Sequence, residues 1–222
     1  MSTTTVVLET SKRPFQTTIQ QNVERAIDDM MASLRDSRQL SAEGRRGIIA
    51  RYTAVLEGNF IYWMTAALLA VRSEEAKSII EENLLEEVRD CHPGMMRRFA
   101  MAAKAAPAEL DADAVYQDLG QVRLFVGRLS AVGTLVMMAF FEGFIQRFMA
   151  YLADLAKLQG SSEFEYTDVH GVCDIGHTQG LFRALAAEME VNPPEHGTSL
   201  FEGVSLLSTL LRTIVNAPCQ TI

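Results

Sequence analysis

Three side chains that commonly bind metal ions recur at helical spacing in the carboxyl-terminal third of the chain: His170, Asp174 and His177. On an α-helix, positions i, i+4 and i+7 lie on one face, so two imidazoles and a carboxylate would point into the same space. Iron, manganese and zinc all bind such a set. The alternative is a pair of solvated or core histidines with Asp174 as hydrogen-bond partner, although Asp is disfavoured in mid-helix.

A second segment, from Glu81 to Pro93, is dense in carboxylates and carries a third histidine, His92, after the predicted end of its helix. Most of these carboxylates are explained equally well by a solvated helix face. One of the adjacent pair Glu86 and Glu87 is expected to point inward together with the neighbouring apolar side chains. This segment by itself does not distinguish a metal site from a charged surface.

A third position is Glu142, a lone carboxylate in an otherwise apolar stretch from Val136 to Ile145. Its neighbours at helical spacing are nearly all apolar, so we expect it to face the core. Burying a carboxylate is expensive unless it is paired or bound to metal. The alternatives are a buried salt bridge to an arginine and a protonated carboxyl group.

Together the three segments supply three histidines and three carboxylates from separate helices. A carboxylate-rich shell with few nitrogens is typical of two-metal sites that activate dioxygen. Ferritin-like bundles build such sites from two Glu-x-x-His motifs, and this chain contains no Glu-x-x-His. A ferritin-like bundle is therefore a poor fit.

The elements that must position these residues are all predicted to be helical, with no strand, no repeat and no linker. The sequence therefore predicts one all-α domain of about seven helices over residues 15–222, after a loose polar tail over residues 1–14. Ser41 and Ser73 are expected to cap helices, and Pro193 with Pro194 to follow the end of one. The predicted helices cover residues 17–34, 41–71, 73–91, 114–158 with a break near 129–133, 166–190 and 199–215, with a short helical segment at 95–105.

Composition narrows the classes of partner. The net charge of −8 provides no basic surplus for nucleic acid or for an anionic membrane. The longest apolar run, Leu129 to Phe141, is too short to span a bilayer, and the amino terminus lacks the apolar region of a signal peptide. Three cysteines, none in a Cys-x-x-Cys pair, are expected to be reduced thiols in a cytoplasmic protein.

The motifs resemble those of the haem-oxygenase-like diiron oxidases and oxygenases. That family has an Asn-Leu-x-x-Glu segment followed by His, a lone Glu on an apolar helix, and His-x3-Asp-x2-His. Here these correspond to Asn83 through Glu87 with His92, to Glu142, and to the histidine helix. The resemblance implies a seven-helix haem-oxygenase-like bundle in which two iron ions form the catalytic centre, with O2 as co-substrate and an external reductant. It implies the metal ligands Glu87, His92, Glu142, His170, Asp174 and His177, with Glu86 in place of Glu87 as the fallback.

The family resemblance further implies a small amino-acid-like substrate, oxidised at C–H bonds with desaturation, ring closure or C–C cleavage in natural-product biosynthesis. Within the family, the chain resembles in general type the member that desaturates isoleucine and closes it to an azetidine in polyoxin-type biosynthesis. Apolar pocket walls and an arginine for the substrate carboxylate are expected. Monomer and homodimer both stay open. The pocket candidates are Met138, Phe141, Phe144, Val172, Arg89 and Arg183.

Two other functions remain open at this stage. One is a metal-free protein of the same fold that binds or hydrolyses a small molecule, with Cys91 or Cys173 as the reactive group. The other is a structural helical partner protein, which would leave a buried Glu142 and the histidine helix unexplained.

Overall fold

A computed structural model describes the backbone of residues 5–218 and the side chains of residues 17–218. Within this part the chain forms eight α-helices and one short 3₁₀ turn, Ser37–Gln39, and contains no strand, which confirms the all-α class. The helices are α1 (Thr5–Ala32), α2 (Ala42–Ala70), α3 (Glu74–Arg89), α4 (His92–Ala102), α5 (Glu109–Val126), α6 (Ala131–Leu158), α7 (Glu165–Val191) and α8 (Glu202–Asn216).

The most apolar helix, α6, forms the centre of the bundle. It packs most extensively against α7, and also against α1, α2 and α8. By length and composition α6 could cross a membrane, yet 78% of its apolar window is buried among the other helices. Burial in the protein core therefore accounts for the apolar character of α6, and core side chains from all eight helices form one contiguous cluster.

The caps predicted at Ser41 and Ser73 are present. The Ser41 hydroxyl accepts a hydrogen bond from the Gly44 N–H at 3.1 Å, and the Ser73 hydroxyl accepts one from Ala76 at 3.3 Å. Each serine satisfies one of the backbone donors left free in the first turn of a helix. The predicted break near residues 129–133 falls between α5 and α6, where Leu129 adopts a left-handed conformation with φ of 53°.

Two predictions of local structure were wrong. Helix α1 begins at Thr5, so residues 5–14 are helical in their backbone, whereas residues 1–4 of the expected tail lie outside the described part. A polar composition does not prevent helix formation, because most polar residues cost only about 0.7 kcal/mol or less relative to Ala. The short segment at 95–105 belongs to a full helix, α4, that begins at His92, which raises the count from seven to eight.

The start of α4 explains why His92 was misplaced. Proline is tolerated in the first turn of a helix, where its missing N–H has no intrahelical partner, so Pro93 does not prevent α4 from beginning at His92. The preceding residue, Cys91, has a φ of 57° and reverses the chain between α3 and α4. His92 therefore opens α4 instead of following the end of α3.

A buried carboxylate anchors the start of α3 to α7. Glu188 on α7 is completely buried, and its Oε2 accepts hydrogen bonds from the backbone N–H groups of Arg72 at 2.8 Å and Ser73 at 2.9 Å. Its Oε1 accepts a third from the Asn192 side chain. Because α3 carries Glu86 and Glu87, this anchor positions that helix along α7.

We expect Glu188→Ala to lower the free energy of unfolding by about 2–4 kcal/mol, because it leaves buried backbone donors without an acceptor. Urea unfolding followed by far-UV circular dichroism measures the change. The matched control is Glu190→Ala, an exposed glutamate on the same helix, which should change stability by less than about 0.5 kcal/mol. Equal effects in the two variants would contradict the anchoring role.

Candidate metal centre

Helix α7 brings its three candidate ligands to one buried face. His170, Asp174 and His177 are only 6%, 1% and 7% exposed, as expected for positions one turn apart on a packed helix. The His177 Nδ1 lies 3.6 Å from the Asp174 Oδ1. The face points towards α3, α4 and α6, which carry the other candidate ligands.

The turn between α3 and α4 supplies the first partner group. Glu87 lies in the last turn of α3, and the reversal at Cys91 brings His92 back towards it, so that the His92 Nδ1 is 2.7 Å from the Glu87 Oε1. The His170 Nε2 is 3.8 Å from the same oxygen. Burial by itself would raise the pKa of Glu87, but the imidazoles of His170 and His92 lower it to about 2.

Helix α6 supplies the remaining carboxylate. Glu142 is 3% exposed, and its Oε2 lies 3.9 Å from the His177 Nδ1. Burial, followed by the negative charges of Asp174 and Glu87, raises the pKa of Glu142 well above its ordinary value of 4.5. Among the described side chains no arginine pairs with Glu142, so the expected alternative of a buried salt bridge is not observed. The raised pKa instead agrees with the other alternative, a protonated carboxyl group in the metal-free protein.

The six side chains thus form two adjacent groups. Glu87, His92 and His170 have ligating atoms close enough together to hold one ion. Cys173, Asp174 and His177 do so as well, and Glu142 approaches this second group, with its Oε2 at 3.9 Å from the His177 Nδ1. Among the described residues, three atoms of the second group are buried without a hydrogen-bond partner: the Glu142 Oε1, the Asp174 Oδ2 and the His177 Nδ1. Buried acceptors of this kind are costly unless a cation satisfies them, so the residues fit metal ions.

The adjacent glutamates of α3 point to different groups. Glu87 is buried in the first group, whereas Glu86 has a side chain that is 34% exposed and accepts a hydrogen bond from the His177 Nε2 at 2.9 Å. Burial by itself would lower the pKa of His177, but Asp174 and Glu86 raise it to about 9. Of the two glutamates, Glu87 is therefore the one placed among candidate ligands.

Sequence reasoning missed a buried tyrosine pair beside the first group. The hydroxyls of Tyr52 and Tyr166 are 2.8 Å apart, and the Tyr166 ring lies 4.3 Å from that of His170. The His170 Nδ1 also donates to the backbone carbonyl of Tyr166 at 2.8 Å, which leaves its Nε2 directed at Glu87. The only signal in the sequence was the spacing, because Tyr166 precedes His170 by one helical turn.

The two cysteines of the metal-free hypothesis lie in different environments. Burial, and then the neighbouring Asp174, raise the pKa of the Cys173 thiol, whose Sγ donates to the Asp174 Oδ1 at 3.2 Å. A thiol with a raised pKa is a poor nucleophile at neutral pH. Cys91 is exposed on the turn before α4.

A cavity opens directly onto the candidate ligands. It contains about 400 Å³ of empty space, part of it open to solvent, and Glu87, His92, Glu142, His170 and Asp174 form its polar wall. The other lining residues are mostly apolar: Leu56, Phe60, Ile61, Pro93, Met96, Phe141, Ile145 and Tyr166.

Of the predicted pocket residues, only Phe141 lines this cavity. Met138 and Phe144 are buried in the core elsewhere: Met138 lies one turn before Glu142 on α6, and Phe144 stacks against Phe140 and Phe148 on another face. Val172 is 72% exposed, since it lies on the solvent side of α7. Arg89 pairs with Asp90 at the surface and Arg183 is exposed, and among the described side chains neither lysine nor arginine lines the cavity.

In the metal-free protein, we expect Glu142→Gln to raise the free energy of unfolding by about 1–3 kcal/mol at about pH 8, because it removes a buried carboxyl surrounded by negative charge. A carboxyl whose pKa is higher in the folded than in the unfolded state destabilises the protein as the pH rises above the unfolded-state pKa. The stability difference between Glu142→Gln and wild type should therefore grow from about pH 5 to about pH 8. Urea unfolding followed by Trp63 fluorescence measures it.

The matched control for this substitution is Asp154→Asn, an exposed carboxylate on the same helix, which should show no such growth with pH. An unchanged or lower stability of Glu142→Gln at the higher pH would contradict the electrostatic account of this site.

Comparison with known proteins agrees with this geometry. The sequence profile of a family described as iron-containing redox enzymes, of the haem-oxygenase-like type, matches residues 49–211. The matched range contains all six candidate ligands and every residue that lines the cavity. No match was found among curated proteins or solved structures. The chain belongs to the haem-oxygenase-like family of iron-containing redox enzymes.

Proposed function

We propose that this protein is a non-haem diiron enzyme that uses O2 to oxidise a small, largely aliphatic substrate. The observation that carries the proposal is the pair of ligand groups that share helix α7, one around Glu87 and one around Asp174. Three carboxylates lie in this small buried volume, and among the described side chains no lysine or arginine balances their charge. Nitrogen and carboxylate donors in this ratio suit iron, and the family is an iron-containing one.

In this proposal, Glu87, His92 and His170 would hold one iron ion, and Glu142, Asp174 and His177 the other. Bound iron would supply the reduction of O2 and the oxidation of the substrate, with electrons from an external reductant. The chain itself contributes metal-ligating side chains in fixed positions and an apolar lining of the cavity. The Tyr166 carbonyl orients His170, while Phe141 and Ile145 exclude water beside the ligands and pack against the substrate.

The lining of the cavity supports an aliphatic substrate. Seven of the residues that line it, from Leu56 to Ile145, are apolar, and these would contact a hydrocarbon chain. An aliphatic amino acid or derivative fits this wall through its side chain, whereas its carboxylate would have no lysine or arginine partner among the described residues. The oxidation of isoleucine to a dehydroisoleucine and an azetidine amino acid, as part of natural-product biosynthesis, is one specific hypothesis within this class.

We also propose a cytoplasmic enzyme whose partner is a small molecule and neither nucleic acid nor membrane. The support comes from composition: the net charge of −8 disfavours phosphate backbones and anionic lipids.

We expect the protein to bind about two iron ions per chain after anaerobic loading with Fe(II), followed by metal analysis of the desalted protein. His170→Ala should lose at least one of them, because it removes an imidazole from the first group. The control is His196→Ala, which removes the exposed fourth histidine and should retain the wild-type iron content. Wild-type protein that remains folded and takes up no iron would contradict the proposed function.

We expect aliphatic amino acids, isoleucine included, to stimulate O2 consumption by the iron-loaded protein more than aspartate or lysine does, because the cavity wall is apolar. Ile61→Trp should abolish the stimulation by filling the half-buried edge of the cavity, whereas Tyr62→Trp, at the neighbouring exposed position, should not. An oxygen electrode measures both. Greater stimulation by charged amino acids would contradict the substrate class, and no response to isoleucine would exclude the azetidine hypothesis.

A further inference from the structure

The hydrogen bond between Glu86 and His177 has a consequence for the second ligand group. The Glu86 Oε2 lies 2.9 Å from the His177 Nε2, on one edge of the imidazole ring. The other nitrogen, Nδ1, faces the Asp174 Oδ1 at 3.6 Å and the Glu142 Oε2 at 3.9 Å. This Nδ1 is also buried without a hydrogen-bond partner among the described residues.

In a neutral imidazole one ring nitrogen carries a hydrogen and the other a lone pair. The hydrogen bond made by one nitrogen therefore determines whether the other can donate or accept. A carboxylate can only accept, so in the neutral form that a metal ligand must have, Glu86 places the N–H on Nε2 and leaves the lone pair on Nδ1. That lone pair points at the two carboxylates of the second group. His177 would therefore bind a metal ion through Nδ1.

The other histidine of α7 has the opposite arrangement. The His170 Nδ1 donates to the Tyr166 carbonyl, and its Nε2 faces Glu87. A backbone carbonyl one turn back along α7 orients His170, whereas His177 depends on a side chain from a different helix, α3. The orientation of His177 is thus sensitive to how α3 lies against α7.

Two close contacts hold α3 in the required place. Glu188 anchors the residues just before α3 to α7 through the N–H groups of Arg72 and Ser73. Further along, a Cβ on Gly180 would lie 3.1 Å from the Ile79 Cγ2, so glycine at this position allows the two helices to approach closely. The carboxylate of Glu86 reaches His177 because of this short separation.

We infer that Glu86 is a positioning residue that fixes the tautomer and ring orientation of His177, and that it is not itself a metal ligand. The inference rests on the proposed metal-binding function. The Glu86 side chain is one third exposed, and its Oε2 is hydrogen-bonded to the edge of the His177 ring that faces away from Asp174 and Glu142. The adjacent Glu87 is instead buried among candidate ligands. Carboxylate–histidine pairs of this kind raise the metal affinity of the histidine and fix its orientation.

The test is an anaerobic titration of the full-length protein with Co(II), whose visible absorption reports both affinity and coordination geometry. We expect Glu86→Met to weaken one of the two sites by about 10–100-fold, because the imidazole loses its acceptor. Glu86→Gln should recover most of the affinity and the wild-type spectrum, since an amide oxygen still accepts from Nε2–H but is a poor replacement for a ligating carboxylate. Glu82→Gln, one turn earlier on the exposed face of α3, should match wild type.

The outcomes separate the possibilities. Recovery in Glu86→Gln but not in Glu86→Met supports the positioning role. An equal loss of Co(II) in both variants would make Glu86 a ligand and overturn the inference, as would wild-type affinity in both. If the wild-type protein itself binds no Co(II), the proposed metal site fails and this inference fails with it, whereas a wild-type protein that binds two ions isolates the question of Glu86.

Discussion

Three carboxylates are buried side by side at the centre of this bundle, and the electrostatic cost of that arrangement governs the rest of the site. Glu142, Asp174 and Glu87 face one another with only imidazoles to offset their charge. In the metal-free protein the cost is reduced by protons, as the raised pKa of Glu142 and of His177 shows. Divalent cations would replace those protons and satisfy the unpartnered oxygens, so that metal binding and proton release are linked.

Such a cluster has to be assembled by rigid elements, because each ligand contributes only when it is held in register with the others. The central pair α6 and α7 supplies four of the six candidate ligands from one extensive helix interface. The other two come from the α3–α4 turn, where a left-handed residue at Cys91 brings Glu87 and His92 together. The Glu188 anchor and the close approach at Gly180 then bind α3 to α7, which makes the second ligand group dependent on the placement of α3.

The cavity gives a complementary view of the site. Its polar wall consists almost entirely of candidate ligands, and the opposite wall is formed by apolar side chains of α2, α4 and α6. The apolar side chains offer water no hydrogen-bonding group, whereas the candidate ligands do. The expectation of an arginine at this site came from the assumed substrate and not from any motif, and the described arginines closest to it in sequence, such as Arg89, lie at the surface.

Most of what could be predicted from the sequence is local. The spacing of His170, Asp174 and His177 defines one helical face whatever the tertiary fold, and an isolated Glu142 in an apolar helix implies burial because the alternative would expose many apolar side chains. Helix propensity, caps and apolar periodicity are likewise short-range properties, and they led to the all-α class. Tertiary structure alone decided the long-range facts: which of Glu86 and Glu87 is buried beside His92 and His170, the position of His92 at the start of α4, the Tyr52–Tyr166 pair and the lining of the cavity. These depend on the packing angles and separations of helices distant in sequence, and a rotation of one residue about a helix axis, roughly 100°, exchanges a ligand for its neighbour.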